Sequence, residues 1–257
     1  MSAPEGAARP WRGGPVGDRA TCVLQGNPSA MTLEGTNTWL LPAPGAPTAV
    51  VVDPGEDDPA HRAAVATALA GRTVALVVAT HSHPDHVGGL DAFLAEHPAP
   101  VLRSGGPGGA DGAVHEVAGL RLRVLATPGH TADSLCVLLG TGELLTGDTL
   151  LGRGSTVIAE GGDLGDHLAS LRRLLTLDAR VLLPGHGPAR TDVAAALRTQ
   201  LEHREQRLAQ VRAAVEAGAP DVAAVVRAVH GEPTGALARA AESSVRAHLR
   251  HLGVRLP

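Results

Sequence analysis

Four side chains that bind metals well lie within one short segment of the sequence. Residues 81–86 read HSHPDH and directly follow an apolar run, 74–80, that we predict to be a strand. A strand delivers its last residues to the edge of a sheet, and alternate residues point the same way, so His81, His83 and Asp85 can converge. Imidazole and carboxylate groups suit a borderline cation such as zinc. The segment therefore predicts a metal site, with His86 as a further ligand.

Three more candidate ligands follow later apolar runs in the same manner. His130 follows the run 120–127, Asp148 ends the run 143–148, and His186 follows the run 181–185. Five histidines and two aspartates are enough for two metals that share one carboxylate, with positions left open for water and substrate. The alternative, ordinary core or surface histidines placed by coincidence, is disfavoured by the repeated pattern of strand, turn and ligand. We expect two divalent ions, zinc foremost, although the same ligands accept iron or manganese.

The elements that must position these side chains alternate in the first part of the chain. Apolar runs predict strands at 48–53, 74–80, 120–127, 135–139, 143–148 and 181–185, and helical spacing predicts helices at 60–70, 90–97 and 166–175. Beyond residue 188 the pattern is helical, at 192–217 and in two segments between 221 and 252. We therefore predict an α/β catalytic domain over residues 1–190 and a separate helical domain over 191–257.

The composition excludes several classes of protein. The chain has 257 residues and a net charge of -4, so it lacks the basic footprint of a typical nucleic-acid-binding domain. Cys22 and Cys136 are too few for a disulfide framework, and the apolar run around Cys136 predicts a buried thiol. Residues 1–16 lack the apolar core of a signal peptide, and no stretch reaches the roughly 18 apolar residues of a membrane span. We expect a soluble, cytoplasmic protein that binds no membrane.

The order of the predicted ligands resembles that of a known superfamily. The set His-x-His-x-Asp-His, then Gly-His, Gly-Asp and Gly-His, is similar to the signature of the metallo-beta-lactamase superfamily over about residues 27–188. The segments 33–40 (LEGTNTWL) and 147–152 (GDTLLG), with the helical tail, resemble the beta-lactamase-like protein 2 family more closely. This resemblance implies a four-layer αββα sandwich, a metal site like that of glyoxalase II at one edge, and a winged-helix-like C-terminal tail.

The resemblance also implies a role for each ligand. The first metal would be held by His81, His83 and His130, the second by Asp85, His86 and His186, and Asp148 would bridge them. Two cations about 4 Å apart lower the pKa of a bridging water, which gives a hydroxide for attack on an ester-like carbonyl or a phosphodiester. Asp85 is the expected catalytic residue, because it would orient the hydroxide and take up its proton.

Weaker candidates flank the ligands. Asp53, Asp133 and Ser134 could accept the outer N–H groups of metal-bound imidazoles, although Asp53 could equally cap a turn or a helix. Residues 36–38 could face the substrate, and a hydrogen-bonding role at a strand edge is an equal alternative. The histidines outside the ligand set are expected at the surface by default, and they are His61, His97, His115, His167, His203, His230, His248 and His251.

The tail offers two further features. His203 and Arg204 stand where relatives carry a His-Arg pair, and we hypothesise that one of them lines the substrate mouth rather than packing between helices. In the last helix Arg239, Arg246 and Arg250 form a stripe that faces water or a ligand.

The residues discriminate among the chemistries of the superfamily. His83 is intact where di-iron oxygen reductases carry Glu, which disfavours redox use of the metals. Asp148 stands where true zinc beta-lactamases usually lack Asp, which disfavours antibiotic hydrolysis. Glyoxalase II shares the whole metal set, but its glutathione contacts rely on Tyr and Lys, which this chain lacks. Other thioesters stay open as substrates.

Two alternatives remain for the function. The beta-lactamase-like protein 2 family implies endoribonuclease activity on single-stranded RNA, which the arginine stripe supports. The acidic net charge and the scarcity of aromatic residues argue against it, and His167 stands where relatives carry an aromatic. A non-catalytic binding module is disfavoured, because no ligand of the metal set has been lost. The sequence thus predicts a metal-dependent hydrolase of a small-molecule ester or thioester, or of single-stranded RNA.

Overall fold

The computed structural model describes residues 10–43, 45–158 and 161–257. Most of the N-terminal segment 1–16, for which no signal peptide is expected, lies outside these ranges. Within them, no helix combines the length and the apolar character that crossing a membrane requires.

Six strands form the first sheet in the order of the chain. They are β1 (Gly14–Val16), β2 (Ala20–Leu24), β3 (Asn37–Pro42), β4 (Thr48–Val52), β5 (Thr73–Val78) and β6 (Val101–Leu102). Neighbours from β1 to β4 are antiparallel, whereas β4, β5 and β6 run parallel to one another. The runs TAVVV in β4 and TVALVV in β5 have the continuous apolar character of parallel strands that are covered on both faces.

Five strands form the second sheet in the order β11-β10-β9-β8-β7. They are β7 (Val114–Val117), β8 (Leu120–Ala126), β9 (Leu135–Leu139), β10 (Glu143–Gly147) and β11 (Val181–Pro184). All neighbours are antiparallel except β10 and β11, which are parallel. In β8 the leucines 120 and 122 are buried, whereas Arg121 between them is exposed, which is the alternation of a strand with one buried face.

The two sheets share one apolar core. Trp39 and Val52 of the first sheet belong to the same cluster as Leu122 and Val137 of the second. On the outer face of the first sheet, Val51 and the neighbouring strand residues pack against α1 (Pro59–Leu69) and α3 (Leu90–Glu96). A short helix, α2 (Pro84–Val87), lies between β5 and α3.

Helices cover the outer face of the second sheet as well. They are α4 (Leu164–Leu175), α5 (Val193–Glu216), α6 (Val222–His230) and α7 (Gly235–His251). Leu144 and Leu182 of the sheet share a cluster with side chains of α4, α5 and α7, and α6 packs on α5 and α7. The layers therefore run helix, sheet, sheet, helix, as the sequence predicts.

The C-terminal tail is helical, as predicted, and residues 191–257 contain no strand that would form a wing. Leu182 and Leu197 lie on opposite sides of residue 190 and yet share one apolar cluster. The division of the chain into two domains at residue 190 stays a prediction.

Candidate metal centre

The predicted ligands lie at one edge of the sandwich, where β5, β8, β10 and β11 end. The segment 81–86 follows β5, His130 follows β8, Asp148 directly follows β10, and His186 follows β11. Because β10 and β11 are parallel neighbours with Gly147 opposite Pro184, Asp148 and His186 leave the sheet side by side. Parallel strands bring their carboxyl ends to the same edge, which is why residues distant in sequence meet here.

The structure brings all seven predicted ligands together. Their ligand atoms lie within 4.8 Å of one another in each of three overlapping groups, which are His81, His83 and His130; His81, His86 and Asp148; and Asp85, His86 and His186. One carboxylate oxygen, Oδ2 of Asp148, is 3.7 Å from Nε2 of His130 and 3.5 Å from Nε2 of His186. Asp148 therefore lies between the groups at the two ends of the site.

Imidazole nitrogens face one another across this centre. Nδ1 of His83 lies 3.0 Å from Nε2 of His81 and 3.0 Å from Nε2 of His130. On the other side, Nε2 of His86 lies 3.2 Å from Nε2 of His186.

The outer nitrogens of these rings fix the positions of the ring hydrogens. Nδ1 of His130 donates to the carbonyl of Val157 at 2.6 Å, and Nδ1 of His186 donates to the carbonyl of Gly35 at 3.1 Å. Carbonyl oxygens only accept, so the outer nitrogen carries the hydrogen and the inner Nε2 of the neutral ring presents a lone pair.

Converging lone pairs are the arrangement that a cation needs. The lone pairs of Nε2 of His86 and Nε2 of His186 would repel each other at 3.2 Å in neutral rings unless a positive charge lay between them. Among the described residues, Oδ1 of Asp148 is buried with no hydrogen-bond partner, which leaves a carboxylate oxygen free to bind a cation. The donor set, imidazole nitrogens and carboxylate oxygens, fits divalent zinc.

Asp53 supports two of the rings from behind. Its Oδ2 accepts from Nδ1 of His86 at 2.8 Å and from the Thr80 hydroxyl at 2.7 Å, and its Oδ1 accepts from the Thr80 backbone N–H at 2.8 Å. Because the Thr80 hydroxyl gives its hydrogen to Asp53, it can accept from Nδ1 of His81 at 3.1 Å. Asp53 lies directly after β4 with φ of 51°, a left-handed conformation that Asp adopts more readily than most residues.

When no cation is bound, the charges of the cluster balance through shared protons, which a bound cation would displace from the inner ring nitrogens. Burial lowers the pKa of His86, but Asp148 and Asp53 outweigh burial and raise that pKa well above its ordinary value. Burial lowers the pKa of His186 as well, but Asp148 and Asp85 outweigh burial and raise that pKa to about 9. Burial raises the pKa of Asp148, but the two histidines outweigh it and hold the pKa well below its ordinary value. Burial and the charge of His86 lower the pKa of His81.

One side of the centre is open to solvent. His81, His86, His130 and His186 are buried, whereas the side chain of Asp85 is 23% exposed. The side chain of Asp148 is 12% exposed, and His83 is half-buried. A substrate would therefore reach the centre past the partly exposed side chains of Asp85, Asp148 and His83.

Residues 36–38 are buried and bond to neighbouring loops, so they do not face solvent. Asn37 is fully buried and donates to the carbonyls of Pro184 at 3.0 Å and Gly187 at 2.8 Å. The Thr38 hydroxyl donates to the carbonyl of Asp53 at 2.6 Å. These contacts hold the loop that carries His186 and the turn that carries Asp53, so the strand-edge alternative is the one observed.

The other weak candidates, Asp133, Ser134 and the remaining histidines, make no hydrogen bond to a ligand ring in the described structure. Ser134 bonds to Thr131 and not to a ligand ring, and among the described residues Asp133 makes no hydrogen bond or ion pair with a ligand ring. The expectation that the remaining histidines lie at the surface is wrong for His61, His167 and His248, which are all buried. His61 is buried because its ring bonds to the Thr38 hydroxyl at 2.8 Å.

Three groups around the ligands were not predicted. They are the carbonyls of Gly35 and Val157 and the hydroxyl of Thr80. Every residue has a backbone carbonyl, so the sequence does not show which carbonyl accepts from a ring. Only Thr80, next to His81, has a side chain that could have been predicted as a partner of a ligand ring.

Comparison with known proteins agrees with this geometry. The model of the metallo-beta-lactamase superfamily matches residues 31–110 and 104–186. The chain belongs to the metallo-beta-lactamase superfamily. Members of the superfamily are metal-dependent hydrolases as a rule, and the chain shares their fold.

Relatives in the superfamily carry three kinds of name, of which lactamase-like protein is one. A beta-lactamase-like protein 2 homolog of Caenorhabditis elegans is 35% identical over 209 residues, which cover 75% of this chain and 69% of that protein. An atrochrysone carboxyl ACP thioesterase of Aspergillus fumigatus is 32% identical over 214 residues, which cover 77% and 65%. The chain spans about two thirds of the length of the curated relatives it matches.

A solved structure shows the same superfamily architecture over nearly the whole chain. A metallo-beta-lactamase family protein from Thermus thermophilus superposes with a TM-score of 0.75 at 25% identity, covering 91% of this chain and 94% of that one.

Proposed function

We propose that this protein hydrolyses a thioester and depends on two divalent cations, zinc foremost. The observation that carries the proposal is the convergence of the inner imidazole nitrogens and of the Asp148 carboxylate on one partly open centre. Hydrolysis of an ester-like bond is the chemistry that such a donor set supports best.

The residues divide between two metal positions. One cation would be held by His81, His83 and His130, the other by Asp85, His86 and His186, with Asp148 shared. When bound, the cations would supply Lewis-acid stabilisation of negative charge on the substrate oxygen and lower the pKa of a nearby water.

Asp85 is the proposed proton acceptor. Its Oδ2 lies 3.2 Å from Nε2 of His186, and its side chain borders the open side of the centre. One water adds across the C–S bond of the thioester, so that a C–O bond forms, the C–S bond breaks, and an acid and a thiol leave. The Asp85 carboxylate would accept the proton of the attacking water and return it to the leaving sulfur.

A thioester is favoured over RNA by the relatives and by the surface. Two of the matched relatives are named as ACP thioesterases, at 32% identity each. The arginine stripe on α7 is exposed as predicted, but Arg246 pairs with Glu242 at 2.8 Å, which reduces the charge available to phosphates. Endoribonuclease activity stays the alternative that the same experiment tests.

The experiment compares substrates and matched variants. Zinc-loaded protein is incubated with acyl thioesters of N-acetylcysteamine and coenzyme A and, in parallel, with labelled single-stranded RNA. Asp85→Asn should lower kcat for thioesters by about 100- to 10,000-fold, the usual range for loss of a general base. Asp133→Asn is the control, because Asp133 lies in the neighbouring 130–134 loop and makes no hydrogen bond to a ligand ring in the described structure.

Each result has a distinct meaning. Thioester turnover that falls in Asp85→Asn and survives in Asp133→Asn supports the proposal. RNA cleavage with the same dependence on Asp85, and no thioester turnover, would replace the thioester by a phosphodiester. If the metal-bound protein turned over neither the thioesters nor the RNA, the proposed activity would be contradicted.

A further inference from the structure

A groove adjoins the metal centre on the side of the tail. Its volume is about 360 Å³, and its walls come from the loop 155–157, from α5 and α7, and from Met31. We call it the tail groove. The loop 155–157 is shared with the centre, since Val157 accepts from His130 and the Thr156 hydroxyl donates to the backbone carbonyl of Asp148 at 2.6 Å. The tail groove and the ligands His130 and Asp148 therefore lie on either side of this loop.

A buried guanidinium without a counter-ion lines this groove. Arg204 is 2% exposed, and its Nη2 donates to the carbonyl of Thr156. Its Nε is buried with no hydrogen-bond partner, and no carboxylate of the described residues lies within 4.0 Å of the guanidinium. Burial lowers the pKa of Arg204 to about 10, so the group is still charged at neutral pH. Removing such a charge from water is unfavourable unless an anion pairs with it.

The rest of the groove adds positive charge and no negative charge. Arg207 donates to the carbonyl of Val229 at 2.7 Å and to the side-chain oxygen of Gln210 at 2.9 Å, and both acceptors are neutral. His203 and His230 line the same groove. The tail groove thus offers two guanidinium groups to an anion from outside.

Part of the lining of the groove is apolar. Met31 is 43% exposed and Leu237 is 58% exposed, and both are among the large apolar side chains left uncovered in the described structure. The groove therefore suits a ligand with an uncharged body and an anionic end.

We infer that Arg204 binds the phosphate of the arm that carries the thioester. This inference rests on the proposed function. Thioesters on coenzyme A and on carrier proteins share a pantetheine arm, which is uncharged along its length and ends in a phosphate. The planar guanidinium matches a phosphate oxygen pair, and hydrogen bonds between two charged groups are the strong ones. Arg204 is a binding residue of the leaving arm, separated from the scissile bond by the loop 155–157.

The first test measures binding without turnover. Calorimetry compares 4′-phosphopantetheine with pantetheine on the zinc-loaded full chain. We expect the phosphorylated compound to bind roughly 10- to 100-fold more tightly, the effect of one or two charge-assisted hydrogen bonds. In Arg204→Gln the affinity ratio of the two compounds should fall close to one. In Arg204→Lys it should fall less, because lysine keeps the positive charge but lacks the paired N–H donors of a guanidinium.

A matched control is available on the same helix. Arg198 lies on α5 and is exposed, so Arg198→Gln removes an arginine from the helix without touching the groove. This variant should keep the full preference for phosphate. If Arg204→Gln does not fold, the wild-type preference and the Arg204→Lys variant still decide the inference.

The second test measures turnover, and its outcomes separate the two proposals. In each variant the KM for S-acetyl-4′-phosphopantetheine is divided by the KM for S-acetylpantetheine. Turnover with a phosphate preference that Arg204→Gln leaves intact overturns the inference and keeps the thioesterase. Arg204-dependent phosphate binding without turnover keeps the anion site and overturns the thioesterase. Equal binding of the two compounds by the wild type, or Arg204-dependent binding of single-stranded RNA alone, overturns the inference.

Discussion

Oδ2 of Asp53 accepts a hydrogen bond from Nδ1 of His86 at 2.8 Å, with the two side chains 2% and 0% exposed. The same carboxylate reaches His81 through the Thr80 hydroxyl. His86 belongs to one candidate metal group and His81 to the other. A single carboxylate behind the centre therefore fixes the ring orientation on both sides of it.

Replacing Asp53 by Asn should weaken metal binding by about 10- to 100-fold. The amide cannot accept from His86 and Thr80 with the strength of a carboxylate, and Asn tolerates the positive φ at this position, so the backbone is spared. Competition with a chelator of known affinity measures the change. Asp133→Asn should leave the affinity unaltered, and equal affinity in both variants would contradict the support role of Asp53.

Removing divalent ions should lower the melting temperature. At a zinc concentration about 100 times Kd, the linkage stabilises the fold by about 2.7 kcal/mol, which corresponds to roughly 5 to 10 °C in a chain of this size. Differential scanning fluorimetry with zinc and with EDTA measures the shift. His83→Ala should reduce the shift, because it removes a nitrogen from one of the two metal groups. A melting temperature that does not change when zinc is added would argue against metal binding at this centre.

Gly129→Ala should destabilise the protein and disturb His130. Gly129 has φ of 142°, and a Cβ there would meet the backbone and Cβ of His167 on α4. The unfavourable backbone conformation alone costs about 1 to 3 kcal/mol, and the contact adds to it. Chemical denaturation measures the loss. Gly112→Ala is the matched control, because Gly112 has φ of 78° with nothing within 4 Å of the new Cβ. A similar loss in both variants would show that the contact with α4 is unimportant.

Both cysteines should resist thiol–disulfide exchange with a reagent in the folded protein. Burial raises the pKa of Cys136 to about 11 and that of Cys22 to about 12, so very little thiolate forms at pH 8 and solvent does not reach either sulfur. Treatment with dithionitrobenzoate should release no thiol colour from the native protein and two equivalents in guanidinium chloride. Rapid reaction of one thiol in buffer would contradict its burial.

Much of the site follows from the sequence because strands and ligands leave strong signals. The apolar run of β5 predicts both a buried strand and the edge at which His81 emerges, and the same holds for β11 and His186. The seven side chains could be predicted as candidate ligands because each carries a donor atom whose chemistry is visible in its residue type. Their arrangement into groups depends on the parallel pairing of β10 with β11, which a single sequence does not specify.

Five strands were not predicted, namely β1, β2, β3, β6 and β7. β1 has three residues and β6 has two, too few for an alternating pattern to stand out. In β3 the polar pair Asn37 and Thr38 precedes the apolar residues, and it was considered as a substrate contact. The pair is buried because its side chains bond to loop carbonyls, which is a tertiary interaction without a local pattern.

His130 is oriented by the main-chain oxygen of Val157 and not by a side chain. A mutation at position 157 changes what the tail groove presents to a ligand and yet keeps the oxygen that holds the ring. Changes at this position can therefore alter the lining of the tail groove while the support of His130 stays in place. Descendants of this chain can vary the groove one side chain at a time without losing the main-chain contact that orients this candidate ligand.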